Sequence, residues 1–346
     1  MLNKIVKYPK TIHSFLDWYN SKSIYRKIYE ELGRPRANDV SLRDGLQGLS
    51  KEEQKEYNIL KKMTVYNEIL EKHSPKTIES GSITSRSLFP VFEDTVEIYK
   101  WIEKQQDKKK QLEQDKKKQL NNKVKYYKKI DNYVFIPNYA KFCEALKCMC
   151  FDNFSFVTSA SHQFLLKNVK QDFDTNYEEL SRIMYLLDEL SDKNFVESLI
   201  DDKEMYKTKL YVSCINQCPI EGKLDNMKIV DTLVKLNNLK FDKIFLSDTC
   251  GTLEPDDFSF IVDKCNEQGL DYSNFGLHLH VKPSKENKVE EIIHRALDRK
   301  IIDFDVSILE TGGCSVTIEK EDLTPNLSYE LYYKSLVNYI VKNSFV

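Results

Sequence analysis

The chain of 346 residues contains no long apolar run; nothing in it approaches the roughly 18 to 20 consecutive residues that a membrane span requires. It also lacks a dominant charge. Fifty-two Lys and Arg stand against 54 Asp and Glu, and the net charge of -2 creates no global field to draw nucleic acid or an anionic membrane. No secretory hydrophobic segment opens the chain, and its eight cysteines do not fall at the spacings of a disulfide framework. A reduced, cytoplasmic setting is therefore expected. Cys148 and Cys150 flank one methionine, closer than zinc motifs favour, and read as buried small residues. The first thirty residues are basic, yet Arg26 is their sole arginine. The arginine enrichment of a mitochondrial import segment is missing, so residues 1–37 read as a helical extension packing on the main domain.

What is present suits a protein with a core: 41% of the residues are hydrophobic and 31% charged. One segment stands apart. Gln106 begins QDKKKQLE and Gln114 begins QDKKKQLN, a tandem repeat too polar to bury a face. It marks an insertion at 104–124, with no aromatics among its lysines to stack on bases. Elsewhere short strand-like runs alternate with amphipathic stretches such as Tyr177 to Leu190 and Asp256 to Gln268. The runs are Asp39–Leu42, Thr77–Glu79, Tyr133–Ile136, Phe154–Thr158, Leu210–Ser213, Lys243–Ser247, Phe275–His280 and Phe304–Ile308. Eight β-then-α units predict an α/β fold, a (β/α)8 TIM barrel spanning 38–346. A doubly wound sheet is the alternative, but no Gly-x-Gly-x-x-Gly turn follows the first run.

Barrel active sites lie at the C-terminal ends of the strands, and capable groups collect there. Arg43 and Asp44 follow the first run, Glu79 lies on the second, Asp248 follows the sixth, and His278 and His280 lie on the seventh. In FGLHLHVKP, Leu277 and Leu279 point to one face and both imidazoles to the other. Two adjacent histidines either hold a metal or are polar residues where a strand meets water. One carboxylate with two imidazoles suits a divalent ion such as Mg2+, Mn2+ or Zn2+. Arg43 beside it offers a fixed cation for a developing enolate. After the eighth run, Gly312 and Gly313 make a flexible turn with Cys314 at its tip, a thiol able to exchange a proton or simply a loop residue.

These segments together resemble the hydroxymethylglutaryl-CoA lyase family. SLRDGLQ (Ser41 to Gln47) looks like its signature, and YVSCINQCPIEGK (Tyr211 to Lys223) is similar to its YVSC…CPxEGK stretch. SDTCGTLEP, HLH, TGGC and SASH with LLKN (Ser159 to Asn168) also fit. The resemblance runs from about Asp39 to Leu336, and its first two motifs separate the chain from isopropylmalate and homocitrate synthases. It implies a divalent-metal barrel, using Mg2+ or Mn2+, that cleaves 3-hydroxy-3-methylglutaryl-CoA to acetyl-CoA and acetoacetate. By motif, Asp44, His278, His280 and Asn326 would hold the metal. Arg43 would stabilise the enolate, Cys314 would handle its proton, and Glu79 and Asp248 would be active-site carboxylates. Gln47, Ser213 and Lys167 would contact the acyl-CoA substrate. A homodimer is favoured, and no nucleic acid or membrane partner is implied. The pattern also departs. Val281, Lys282 and Pro283 stand where the family has an aspartate and a Thr-Tyr-Gly turn, Ser315 replaces a proline, and the loop to Asn326 is longer and charged. A related barrel enzyme acting on another acyl-CoA or 2-oxo acid, and a non-catalytic metal- or ligand-binding relative, are the alternatives.

Overall fold

The computed structural model describes residues 8–119, 130–198, 206–313 and 315–345. Eight parallel strands close into a barrel: β1 Asn38–Asp39, β2 Thr77–Ser82, β3 Asp131–Ile136, β4 Asn153–Ser159, β5 Lys207–Ser213, β6 Lys243–Asp248, β7 Phe275–Leu279 and β8 Asp303–Val306. Each pairs with its sequence neighbours, and β1 pairs with β8 through Asn38 opposite Asp305. All eight strand-like runs are thus strands, and the TIM barrel is the fold. Before β1 come α1 Ile12–Asn20 and α2 Ser23–Glu31. After it come α3 Lys51–Lys55, α4 Ile59–Lys72, α5 Thr95–Gln119, α6 Tyr139–Cys148, α7 His162–Asn168, α8 Phe173–Ser198, α9 Asn226–Asn237, α10 Pro255–Glu267, α11 Glu286–Asp298 and α12 Tyr329–Asn343. The lysine-glutamine repeat continues α5 between β2 and β3; residues 120–124 of the expected insertion lie outside the described residues.

Strand alternation divides the side chains. On β5, Leu210 and Val212 point outward into the large strand–helix core, whereas Lys209, Tyr211 and Ser213 point into the barrel. Burying the outward aliphatics stabilises the barrel by about 1.5–3 kcal/mol each. The interior combines a small apolar cluster of Val157, Tyr211 and Phe245 with ion pairs nearer the strand starts. There Asp303 meets Lys76 at 2.6 Å and Lys243 at 2.9 Å, and Asp131 meets Lys207 at 2.8 Å.

One expectation changes. The first strand is not Asp39–Leu42 but only Asn38–Asp39. The Asp39 carboxylate accepts hydrogen bonds from the Ser41 N–H at 2.9 Å and the Ser41 hydroxyl at 3.1 Å, a local bond that competes with the ladder. Ser41–Gly45 then forms a π-helical turn, a feature frequent at functional sites.

The N-terminal helices pack on the barrel as expected. Phe15 stacks on Tyr333 of α12 with ring centroids 5.6 Å apart, and the Tyr29 hydroxyl donates to the Pro35 carbonyl at 2.8 Å. Beside them His73 stacks on Tyr329 at 3.6 Å, and burial pulls its pKa down to about 4. His73 stays neutral in the fold down to that pH but takes a proton near 6.5 when unfolded, so acid favours unfolding. Urea unfolding at pH 7.5 and pH 5 should show this group costing about 2 kcal/mol of stability on acidification. His73→Phe should remove that part of the pH dependence, and an unchanged dependence contradicts the assignment. Among the described residues, no helix is long and apolar enough to cross a membrane.

Candidate metal centre and active site

Three chain segments meet at the C-terminal mouth of the barrel. The π-turn after β1 carries Arg43 and Asp44. Strand β7 carries His278 near its end, and the chain continues to His280. The segment 325–327 runs beside that end, with Val281 N–H on the Pro325 carbonyl at 2.8 Å and Leu327 N–H on the Leu279 carbonyl at 3.0 Å. His280 and Asn326 therefore lie opposite one another. Ligand atoms of Asp44, His278 and His280 all fall within 4.8 Å of one another. Asp44 Oδ2 is 3.8 Å from His278 Nε2 and 4.0 Å from His280 Nε2. It also accepts from Asn326 Nδ2 at 2.9 Å and from the Gly313 N–H at 3.0 Å.

The protonation pattern tests whether these residues suit a cation. His280 Nδ1–H donates to the Thr324 carbonyl at 3.0 Å, and His278 Nδ1–H donates to Asp305 Oδ2 at 3.0 Å. A carbonyl and a carboxylate can only accept, so both neutral rings carry their proton on Nδ1. Their two Nε2 atoms then face each other at 3.0 Å with a lone pair on each. Burial, with the neighbouring His278 acting the same way, pulls the His280 pKa down to about 4. The buried Asn326 Oδ1 has no hydrogen-bond partner, and a buried orphaned acceptor is costly. Two imidazole lone pairs, an orphaned amide oxygen and a carboxylate converge as mixed nitrogen and oxygen donors fit for a divalent ion.

A second set adjoins the first. Arg43 donates from Nε to Glu79 Oε2 at 2.6 Å and from Nη1 to Asp44 Oδ1 at 2.5 Å. Its guanidinium lies 5.0 Å from the ring centres of both Phe135 and Tyr211. The Tyr211 hydroxyl donates to Glu79 Oε1 at 2.9 Å. Glu79 is 0% exposed. Burial is the largest single influence and would raise both carboxyl pKa values, but Arg43, joined by the two histidines at Asp44 and by Lys209 at Glu79, outweighs it and holds both below the ordinary range. Burial works against the charge of Arg43 too, and Glu79 and then Asp44 more than reverse it.

Both sets open onto a cavity of about 400 Å³ lined by Arg43, Asp44, Gln47, Ser213, His278 and His280, with Phe89, Phe135, Val157 and Val316 on its apolar wall. Two expected residues stand elsewhere. Asp248 does not line the cavity: as the residue after the inward Ser247 it points the other way, and its carboxylate accepts from Thr252 N–H at 2.9 Å and Leu253 N–H at 3.0 Å. Burial pushes its pKa up to about 6. Lys167 is exposed on α7, and Asn168 and Lys170 line the cavity instead. Cys314 lies outside the described residues. Cys148 is half-buried and Cys150 buried, both as free thiols. Sequence reasoning missed Tyr211, Lys209 and Asp305, whose only signal is inward parity on their strands.

The two glycines of the C-terminal loop are needed for close approach. A Cβ on Gly312 would sit 2.4 Å from Asn326 Nδ2, and Gly313 has φ +95°. Gly312→Ala should push Asn326 off Asp44. Mn2+ affinity should fall about 10-fold or more, measured by titration against the wild-type chain. Unchanged affinity would mean that Asn326 is not held in place by this packing.

A closed (β/α)8 barrel thus gathers a carboxylate, two imidazoles and an amide at its C-terminal mouth, beside a carboxylate-clamped arginine. No protein-family profile matches the chain. Hydroxymethylglutaryl-CoA lyase of Pseudomonas mevalonii is 25% identical over 179 residues, which are 52% of this chain. The match spans 53% of that relative's length. HMG-CoA lyase from Brucella melitensis has the same fold at a TM-score of 0.60 and 19% identity, covering 85% of this chain and 87% of that one. HMG-CoA lyase from Acinetobacter baumannii, solved with coenzyme A and 3-methylmalate, gives 0.59 and 17%, covering 88% of each. The Pseudomonas aeruginosa enzyme gives 0.60 and 17%, covering 88% and 90%. The chain shares the (β/α)8 fold of these lyases and is similar in sequence to one of them over about half its length.

Proposed function

We propose that the chain is a divalent-metal-dependent carbon–carbon lyase that cleaves 3-hydroxy-3-methylglutaryl-CoA to acetyl-CoA and acetoacetate. The observation that carries this reading is the Arg43–Glu79–Tyr211 clamp set directly against the Asp44, His278 and His280 donors at one cavity. Asp44, His278, His280 and Asn326 would hold Mg2+ or Mn2+. When bound, such an ion polarises the substrate's carbonyl and hydroxyl oxygens. The cleaved bond leaves its electron pair on the thioester fragment as an enolate, and the tertiary carbinol becomes the ketone of acetoacetate.

Arg43 meets the charge that develops in that step. Two carboxylates fix Nε and Nη1, so the guanidinium cannot swing, and Nη2 is left for the enolate oxygen. A preorganised donor of this kind needs no reorganisation during reaction. The substrate hydroxyl proton has the Asp44 carboxylate as an acceptor within the cluster, because the His278 Nε2 lone pair is taken by the cation, whereas Asp248 is turned away. Cys314, next along from Gly313, is assigned the proton delivered to the enolate carbon. Gln47, Ser213 and Lys170 are placed to contact the acyl-CoA.

The test is release of acetoacetate from the CoA thioester by the purified full chain with Mg2+ or Mn2+, abolished by a chelator. Metal binding without cleavage of any acyl-CoA overturns the enzyme reading in favour of a binding relative. Cleavage confined to another acyl chain or a 2-oxo acid supports the second reading. That reading is favoured by Val281 and the charged segment it is bonded to, which depart from the family pattern beside the metal donors.

A further inference from the structure

The tier beneath the site contains a carboxylate that no role above uses. Asp305 lies on β8, directed inward like Asp303 two residues earlier, and β8 runs parallel to β7 with Phe304 opposite Leu277. This brings Asp305 to the level of His278. It is 1% exposed, and its one hydrogen bond among the described residues is with His278 Nδ1 at 3.0 Å; its Oδ1 has no partner. Asp303, one step lower, is by contrast tied to Lys76 and Lys243. A buried carboxylate is costly to desolvate, yet Asp305 makes no bond that knits the barrel. Among the charges acting on Lys209 of β5, that of Asp305 is the largest. The Lys209 side chain is 2% exposed, donates to Thr77 Oγ1 at 2.8 Å and lies 4.2 Å from the Tyr133 ring.

We propose that Asp305 is a positioning residue for His278: by accepting the Nδ1 proton it fixes the tautomer and aim of the ring, and so sets the affinity of the mouth for a divalent cation. The inference rests on the metal reading above. A neutral imidazole without that acceptor divides its proton between two nitrogens and can turn about its own axis. Either change takes the Nε2 lone pair out of the cluster. Outer-shell carboxylates act on metal-ligating histidines in this way, orienting the ring and raising its basicity. Asp305 touches no substrate and is not a catalytic residue.

The test uses the full chain and Mn2+ alone, with free Mn2+ followed by electron paramagnetic resonance. Asp305→Ala should bind Mn2+ about 10–100-fold more weakly, and Asp305→Asn, which keeps an acceptor but loses the charge, should fall between it and wild type. Asp303→Asn, which does not touch the histidines, serves as the control for general damage to the barrel interior and should bind as wild type does. If Asp305→Ala fails to fold, Asp305→Asn is read by 15N chemical shifts of the metal-free imidazoles. His278 should be the Nδ1–H tautomer in wild type and a mixture in the variant. Equal Mn2+ affinity in a folded Asp305→Ala, or an unchanged His278 tautomer in Asp305→Asn, overturns the inference alone. A wild-type chain that binds no divalent cation overturns the metal reading and this inference with it.

Discussion

Arg43→Ala should lower the rate of acetoacetate release by about 10²–10³-fold, the usual cost of removing one preorganised donor to a developing oxyanion. The complication is structural. Arg43 is the cation clamping Glu79 and Asp44, and removing one partner of a buried ion pair leaves an uncompensated charge worth about 3–5 kcal/mol of destabilisation. A slow enzyme and an unfolded one must therefore be told apart. Glu79→Gln removes one of the two orphaned charges, the one fully buried, so the Arg43→Ala/Glu79→Gln double variant should regain part of the lost stability in a denaturant titration while remaining as slow as Arg43→Ala. Recovery of rate along with stability would show that Arg43 serves the fold and not the chemistry. Arg43→Lys should stay slow too, because an ammonium cannot bind both carboxylates in a planar fork and still present a free N–H.

The second large effect concerns cation binding and works in two directions. His280→Ala removes one donor and should weaken Mn2+ binding by at least about 100-fold, beyond the 10–100-fold expected for an outer-shell partner, and abolish turnover. It also removes the contact of two lone pairs at 3.0 Å. The metal-free variant should therefore unfold no earlier than the metal-free wild type, despite losing a buried side chain. Added Mn2+ at about 100 times the wild-type dissociation constant should stabilise wild type by about 2.7 kcal/mol and the variant by no more than about 0.4 kcal/mol. Thermal unfolding with and without Mn2+ reads both. Equal stabilisation of the two proteins would remove His280 from the donor set.

The barrel was legible because its outward strand positions are aliphatic and its helices carry one apolar stripe, so the eight units announce themselves by periodicity. The donors were legible for a narrower reason. Two histidines at i and i+2 on an apolar strand must share a face, and Asp44 and Asn326 fall in segments that resemble a known pattern. Parity was the signal left unread. Counting by twos from the inward Phe245 puts Ser247 in the barrel and Asp248 outside it, which matches the bonds that Asp248 makes to the turn behind it. The same count on β5 puts Lys209 and Tyr211 inside. A lysine in a short strand reads as a solvent-facing residue, and only the closed barrel shows it lodged between aromatic rings and carboxylates. The early end of β1 was hidden because Asp39 and Ser41 look like ordinary alternating strand residues until their side-chain bond turns the chain.

Asp44 and Asn326 bond directly across 282 positions of sequence. The order of synthesis follows from this. A chain leaving the ribosome presents Arg43 and Asp44 well before Asn326, the partner that closes the cluster, which follows Asp44 by 282 residues. Until then no fragment holds all four proposed donors, so on the proposed metal reading partly made chains would be poor scavengers of metal ions, and capture would wait for the segment that follows the eighth strand.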